Sequence, residues 1–347
     1  MAVTVYPDGE WARVSPAEAG FDAEKLDGVK HWLDDAAALT VEGGYRVVIV
    51  RGGRVVAEWN HGVGREEQVR MFSATKSIFS CILGIAIEEG RITSADAKIV
   101  DYFPEAMDVP EGEGPKAGRY AFEKDHGITF RQLISNTSGY MKPGEEPGKV
   151  FHYQTFGMNV LTHAIAKTYG LYDVRDPEGS PGFAQLVDEK IRIPIGATWG
   201  YSIENFDLHP KARIHIFGDY TDLRVTALDM ARLGWLWCNW GRWRDKQLIP
   251  EMWLREATQT APDIRAHCPR EQWKYGYAFW TNDHGQLLPG LPHDSYAASG
   301  AYGIALIWVC PSLDLVVAQN PGLYLDKEDE TENKLPGLLR LVVDACA

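Results

Sequence analysis

Met71-Phe72-Ser73-Ala74-Thr75-Lys76-Ser77-Ile78 opens an apolar run that continues to Ile87, and the fold turns on how that run is read. Its composition predicts a buried helix over 78–87, with Ser73 at the helix start and Lys76 one turn on. Residues three apart share a helix face, so hydroxyl and amine would lie side by side. A serine oxygen is a poor nucleophile until a base takes its proton, and a desolvated lysine can be that base. The helix N-terminus adds unpaired N–H groups and partial positive charge where an oxyanion would form. An S-x-x-K tetrad occurs by chance about once in a chain this long. Its meaning therefore depends on the residues around it.

Outward from the tetrad, Asp22 caps an expected helix over 22–35, with Leu26, Val29, Trp32 and Leu33 on its inner face. The β-branched runs 45–51 and 54–60 meet at Gly52-Gly53 and read as a hairpin. From 94 to 205 the signals are mixed helix and loop, with helical patches at 130–134, 159–167 and 182–191 and no clear alternating strand. A helix over 226–237 carries Leu228, Ala231, Leu233 and Trp235. Neighbouring strands are expected at 275–281, 303–310 and 313–319, the last two joined by a turn at Pro311-Ser312. An apolar helix over 335–346 closes the chain. Strands at both ends with helices between predict an α/β (α+β) protein whose sheet is built from the two termini.

At 347 residues the chain exceeds what one hydrophobic core usually carries, which points to two intimately packed subdomains. A 45% hydrophobic, 24% charged composition is that of a soluble globular protein and argues against long disorder. The net charge of −13 disfavours nucleic acid or an anionic membrane as partner. The acidic cluster over 326–332 reads as a solvated loop. No basic segment followed by an apolar core marks a signal peptide at the N-terminus, and no stretch reaches the roughly 20 apolar residues of a membrane span. Five cysteines are scattered, with no C-x-x-C pair and no zinc spacing, as in a cytoplasmic protein with reduced thiols. Cys268 follows His267, but adjacent residues do not naturally face each other.

Three further boxes follow the tetrad in order. They are Ile128-Thr129-Phe130-Arg131-Gln132-Leu133-Ile134-Ser135-Asn136-Thr137-Ser138-Gly139-Tyr140, then Tyr153-Gln154-Thr155, then Ala298-Ser299-Gly300-Ala301-Tyr302-Gly303. With Thr226-Ala227-Leu228-Asp229-Met230-Ala231-Arg232 between the last two, the set resembles the serine hydrolases of the penicillin-binding-protein and class C β-lactamase superfamily. The resemblance extends especially to its esterase and nylon-oligomer (6-aminohexanoate-dimer) hydrolase-like branches. The resemblance implies a β-lactamase/transpeptidase-like fold, an antiparallel sheet from both termini flanked by helices, with a mainly helical subdomain inserted. It implies one catalytic domain over 1–347, its α/β part at about 16–70 and 270–347 and its helical part at about 71–269.

Residue by residue, the likeness implies Ser73 as nucleophile and Lys76 with Tyr153 as general base and acid. The backbone N–H groups of Ser73 and Ala301 would hold the oxyanion, and Thr155, Ser299 and Gly300 would line the substrate. No cofactor or metal is implied. Two departures bear on substrate. Thr155 replaces the asparagine of a Y-x-N box, and Ala298 replaces the Lys or His with which β-lactam-acting members hold the substrate carboxylate. Small-ester hydrolysis is the expectation, with β-lactamase activity weak or absent, and Arg224 as a candidate replacement for the missing cation. An amidase acting on small linear amides or D-amino-acid peptides is the alternative, and a catalytically silent ligand- or partner-binding member is a third reading. Tyr140 rivals Tyr153, His152 invites a Ser–His reading, and Trp199, Trp273 and Trp280 could border an apolar cleft.

Overall fold

Along Val47-Val48-Ile49-Val50 every side chain is buried, so this strand must be covered on both faces. A computed structural model describes residues 4–38, 44–323 and 334–346. It begins with helix α1 (Ala23–Ala37), capped by Asp22, whose carboxylate accepts from the backbone N–H of Glu24 and Lys25. The hairpin β1 (Tyr45–Arg51) and β2 (Arg54–His61) follows as the sequence predicts. Then come β3 (Val69–Arg70), α2 (Lys76–Glu88), α3 (Phe130–Ile134) and α4 (Phe156–Thr168). The strands after them are β4 (Gly200–Glu204), β5 (Tyr220–Val225), a two-residue pair β6 (Arg242–Trp243) and β7 (Lys246–Gln247), β8 (Trp280–Thr281), β9 (Tyr296–Gly300), β10 (Ala305–Cys310) and β11 (Leu315–Gln319).

The main sheet has the order β2-β1-β11-β10-β9-β8 and is antiparallel throughout. Residues from both ends of the chain thus meet in one sheet, with most of the helices between them in sequence. Val47, Ile49, Leu306, Trp308 and Val317 face α1 and the closing helix Lys334–Asp344. Val48, Val50, Ile307, Val309 and Val316 face the larger core that holds α2, α4 and the helix Ala227–Cys238. Each fully buried side chain of this kind contributes about 1.5–3 kcal/mol. Gly234 lets the helix Ala227–Cys238 lie directly on the sheet, since a Cβ there would sit 2.4 Å from Val316 Cγ1.

Three features differ from the expectation. The strand foreseen over 275–281 is reduced to β8. Upstream of it the backbone turns at Ala278 (φ 59°), and Tyr277 N–H is taken by Ala257 O at 2.9 Å. The box 298–303 also closes a strand not foreseen, β9, and a tight turn at Ala301–Gly303 then leads into the expected strand, β10. A second sheet, β3-β5-β4, forms where no alternation was visible. Its strands are short and pair across large sequence separations, so neighbours and not local pattern specify them. The acidic cluster 326–332 lies outside the described residues.

Candidate active site

Met71 N–H donates to Leu223 O at 2.7 Å and ties the tetrad to β5. Phe72 then takes φ 51°, a left-handed conformation unusual for a bulky residue. Tyr220 OH donates to Phe72 O at 3.0 Å, and the Arg70 guanidinium lies 4.9 Å from the Phe72 ring centre. These contacts hold a strained turn immediately before Ser73. A 3₁₀ turn, Phe72–Thr75, runs into α2, so Lys76 is the first α-helical residue and its side chain folds back over the preceding turn.

Lys76 is 1% exposed, and its Nζ donates to Ser73 Oγ at 2.7 Å. Its other near neighbours are aromatic faces, Tyr153 at 5.1 Å and Tyr220 at 4.9 Å. Burial pulls the amine pKa down to about 7, with the charge of Asp222 opposing the fall. A sizeable share of the molecules then carries a neutral amine at pH 7. In that state the Ser73 hydroxyl can donate its proton to the nitrogen lone pair.

Asp222 is a residue the sequence reading missed. It is fully buried on β5 and accepts from Arg70 Nε at 2.9 Å and from Thr75 Oγ1 at 3.0 Å. Arg70 also meets Glu204 at 3.1 Å. A carboxylate inside the apolar run Tyr220-Thr221-Asp222-Leu223, together with a hydroxyl at the third tetrad position, is the signal that could have found it.

Tyr153 arrives from the loop before α4. Its ring stacks on Trp280 (5.9 Å, 21°) and meets Tyr275 edge-on (5.9 Å, 84°). Burial raises its phenol pKa to about 12, and a hydrogen bond with the Ser73 hydroxyl opposes the rise. Asn136, within the box 128–140, clamps this loop. It has φ 58°; its Oδ1 accepts from Gln154 N–H at 2.9 Å and its carbonyl from His152 N–H at 2.9 Å. Its amide also donates to Tyr275 OH at 3.3 Å.

Gly300 brings the end of β9 against the Ser73 turn. A Cβ there would lie 2.4 Å from Met71 O and 3.0 Å from Ala74 N, which only glycine permits. Ser299 is partly buried just before it, and Ala301 follows with φ 38°. Thr155 lines a cavity of about 350 Å³ together with Tyr153. Ser73, Lys76 and Tyr153 are therefore brought together, with Ser299, Gly300 and Ala301 on the neighbouring strand end and turn.

The rival residues are engaged elsewhere. Tyr140 is buried and donates to Ala106 O at 2.6 Å. His152 meets Glu145 at 2.8 Å. His267 contacts Lys149 at 2.7 Å, and burial raises the Cys268 thiol pKa, the opposite of an activated thiolate. Of the three candidate tryptophans, Trp280 supports Tyr153. Trp199 is buried and donates to Tyr201 OH at 3.0 Å, and Trp273 donates to Cys268 O at 3.1 Å. Arg224 is exposed and donates to Gln68 O at 3.2 Å. Among the described residues no group of three or more His, Cys, Asp or Glu side chains could hold a metal ion.

The family model described as Beta-lactamase matches residues 32–319, a span that takes in all four boxes. The chain belongs to the β-lactamase family. Members of this family are serine hydrolases. The fold is shared with simvastatin synthase from Aspergillus terreus, at 15% identity and a TM-score of 0.67, covering 93% of this chain and 97% of that one. A Bacillus anthracis protein described as a 6-aminohexanoate-dimer hydrolase gives 18% identity and a TM-score of 0.64, over 96% and 86% of the two chains. A penicillin-binding-protein homologue from Caulobacter crescentus gives 15% and 0.62, over 93% and 97%. At such identities the likeness shows the fold alone. Beta-lactamase-like protein 1 of Dictyostelium discoideum is 32% identical over 114 residues, which are 30% of this chain and 18% of that protein's length. Within this β-lactamase-family site, Asp222, Arg70 and Trp280 lie outside the four boxes and surround them.

Proposed function

We propose that this chain cleaves a small ester by acyl transfer through Ser73. The observation that carries the reading is the 2.7 Å contact between Ser73 Oγ and a buried amine whose pKa lies near 7. Ser73 Oγ bonds to the ester carbonyl carbon as its proton passes to neutral Lys76. The carbonyl electrons move onto oxygen, which the N–H groups of Ser73 and Ala301 receive. Collapse breaks the carbon–oxygen bond, and the leaving alcohol takes a proton through Tyr153, which Lys76 replenishes. Tyr153 stays a phenol at neutral pH, so it passes protons without holding charge. Water then cleaves the acyl-enzyme by the reverse transfers.

Esters need less leaving-group protonation than amides and are the more permissive substrate. The protonated phenol of Tyr153 also favours a second reading, an amidase acting on small linear amides or D-amino-acid peptides. β-Lactams fit less well, because Ala298 is fully buried on β9 and offers their carboxylate no cation. A reducing, cytoplasmic setting suits the five free cysteines. The test is labelling with a fluorophosphonate probe, followed by peptide mapping and assay on p-nitrophenyl butyrate. An adduct on Ser73 and ester turnover are expected. No adduct and no turnover would leave the silent binding reading, and an adduct on Ser77 or Ser299 would overturn the nucleophile.

A further inference from the structure

The cavity that Tyr153 and Thr155 line is also lined by Lys116, Arg119 and Lys142, with Asp207 as the one carboxylate. Three cations to one anion reverses the balance of the whole chain, which has 35 Lys and Arg against 48 Asp and Glu. Lys142 is 4% exposed, and its buried Nζ has no hydrogen-bond partner. Glu145 Oε2 forms an ion pair with it at 3.7 Å, longer than a hydrogen bond, and the other oxygen of that carboxylate meets His152 at 2.8 Å. Asp125 is already taken by Lys124 at 2.8 Å and by Met141 N–H at 3.2 Å. A buried ammonium with unused donors is costly until an acceptor meets it.

We propose that this cavity binds a carboxylate carried by the leaving group of the substrate, with Lys142 as the buried anchor and Arg119 and Lys116 beside it. This rests on the ester-hydrolase reading above and narrows it. The leaving-group side follows from Tyr153, which hands its proton to the leaving oxygen and is itself a wall of the cavity. A monoanion fits better than a phosphate dianion, since Asp207 in the lining and Glu145 behind Lys142 offset part of the positive charge. Burial lowers the Lys142 pKa to about 8, which leaves the amine mainly charged at pH 7. The Glu145 carboxylate opposes that fall, and the smaller repulsion from Arg119 adds to it.

The experiment compares kcat/KM for 4-butyryloxybenzoate and for its neutral methyl ester. The charged ester should be favoured by about ten- to a hundred-fold, the value of a charge-assisted hydrogen bond. Lys142→Met should bring the ratio close to one, and Arg119→Gln, at a partly buried position, should lower it in part. A charge on the acyl side, tested with mono-p-nitrophenyl adipate against p-nitrophenyl hexanoate, should give no gain. A wild-type ratio near one, a ratio unchanged in both variants, or a gain confined to the acyl side would each overturn the proposal. Calorimetry on Ser73→Ala separates it from the function reading: 4-hydroxybenzoate should bind at least about ten-fold tighter than methyl 4-hydroxybenzoate. Selective binding without turnover in the wild type would sink the hydrolase and keep the site. Turnover without charge preference would do the reverse.

Discussion

Lys76 is held among aromatic rings with a neutral hydroxyl as its hydrogen-bond partner, and the charge of Asp222 favours its charged form. Its protonation therefore governs both the rate and the response to pH. Below pH 7 the ammonium cannot accept the Ser73 proton, so kcat/KM for a neutral ester should rise with pH through about 7. Asp222→Asn removes a charge that stabilises the ammonium. The Lys76 pKa should fall further, and the rising limb of the profile should move to lower pH. A limb that stays in place or moves up would show that Asp222 only braces Arg70 and Thr75. Lys76→Arg should cost about 10²–10⁴-fold in kcat/KM, because a guanidinium stays protonated. A wild-type rate in that variant would mean that position 76 supplies charge and not a base.

Two element contacts set the geometry that those residues need. The helix Ala227–Cys238 touches the sheet at Gly234, where a methyl group would meet Val316 Cγ1 at 2.4 Å and Ile307 Cγ2 at 2.8 Å. Gly234→Ala should lose about 1–3 kcal/mol of stability by overpacking, read from the urea midpoint. A midpoint equal to wild type would show that the helix lifts without penalty. Strand β8 contributes Trp280, the stacking support of Tyr153. Trp280→Ala should lower kcat more than it raises KM, and Trp280→Phe should restore most of the loss. A purely structural tryptophan would instead show unchanged kinetics in the folded fraction.

At the scale of the whole molecule, the fold brings the end of β9, the α2 turn and the loop before α4 to one place. What that place accepts depends on charge. Ala298, where the sequence resemblance leads to the expectation of a cation, is packed into the core beside Ile307. A lost charge-assisted hydrogen bond is worth about 1.5–3 kcal/mol. p-Nitrophenyl butyrate should therefore exceed nitrocefin in kcat/KM on one preparation by roughly ten- to a hundred-fold or more. Equal or faster turnover of nitrocefin would make the chain a β-lactamase in activity as well as in family.

The pairing of Ser73 with Lys76 was written locally, because a spacing of three residues on one helical turn sets the contact whatever lies around it. The β1–β2 hairpin, the Asp22 cap and the strands β10 and β11 were legible for the same reason: period and capping act over a few residues. The order of the four boxes likewise identified the family. Nothing local, by contrast, could show that Thr75 meets Asp222, 147 residues away, or that Asn136 positions Tyr153 through Gln154. The same holds for Lys116, Arg119 and Lys142 collecting beside Tyr153 around one cavity. These are matters of distance through space and of lost hydration. A lysine becomes a base near neutral pH only when the packed chain removes its water, and that is decided by tertiary structure.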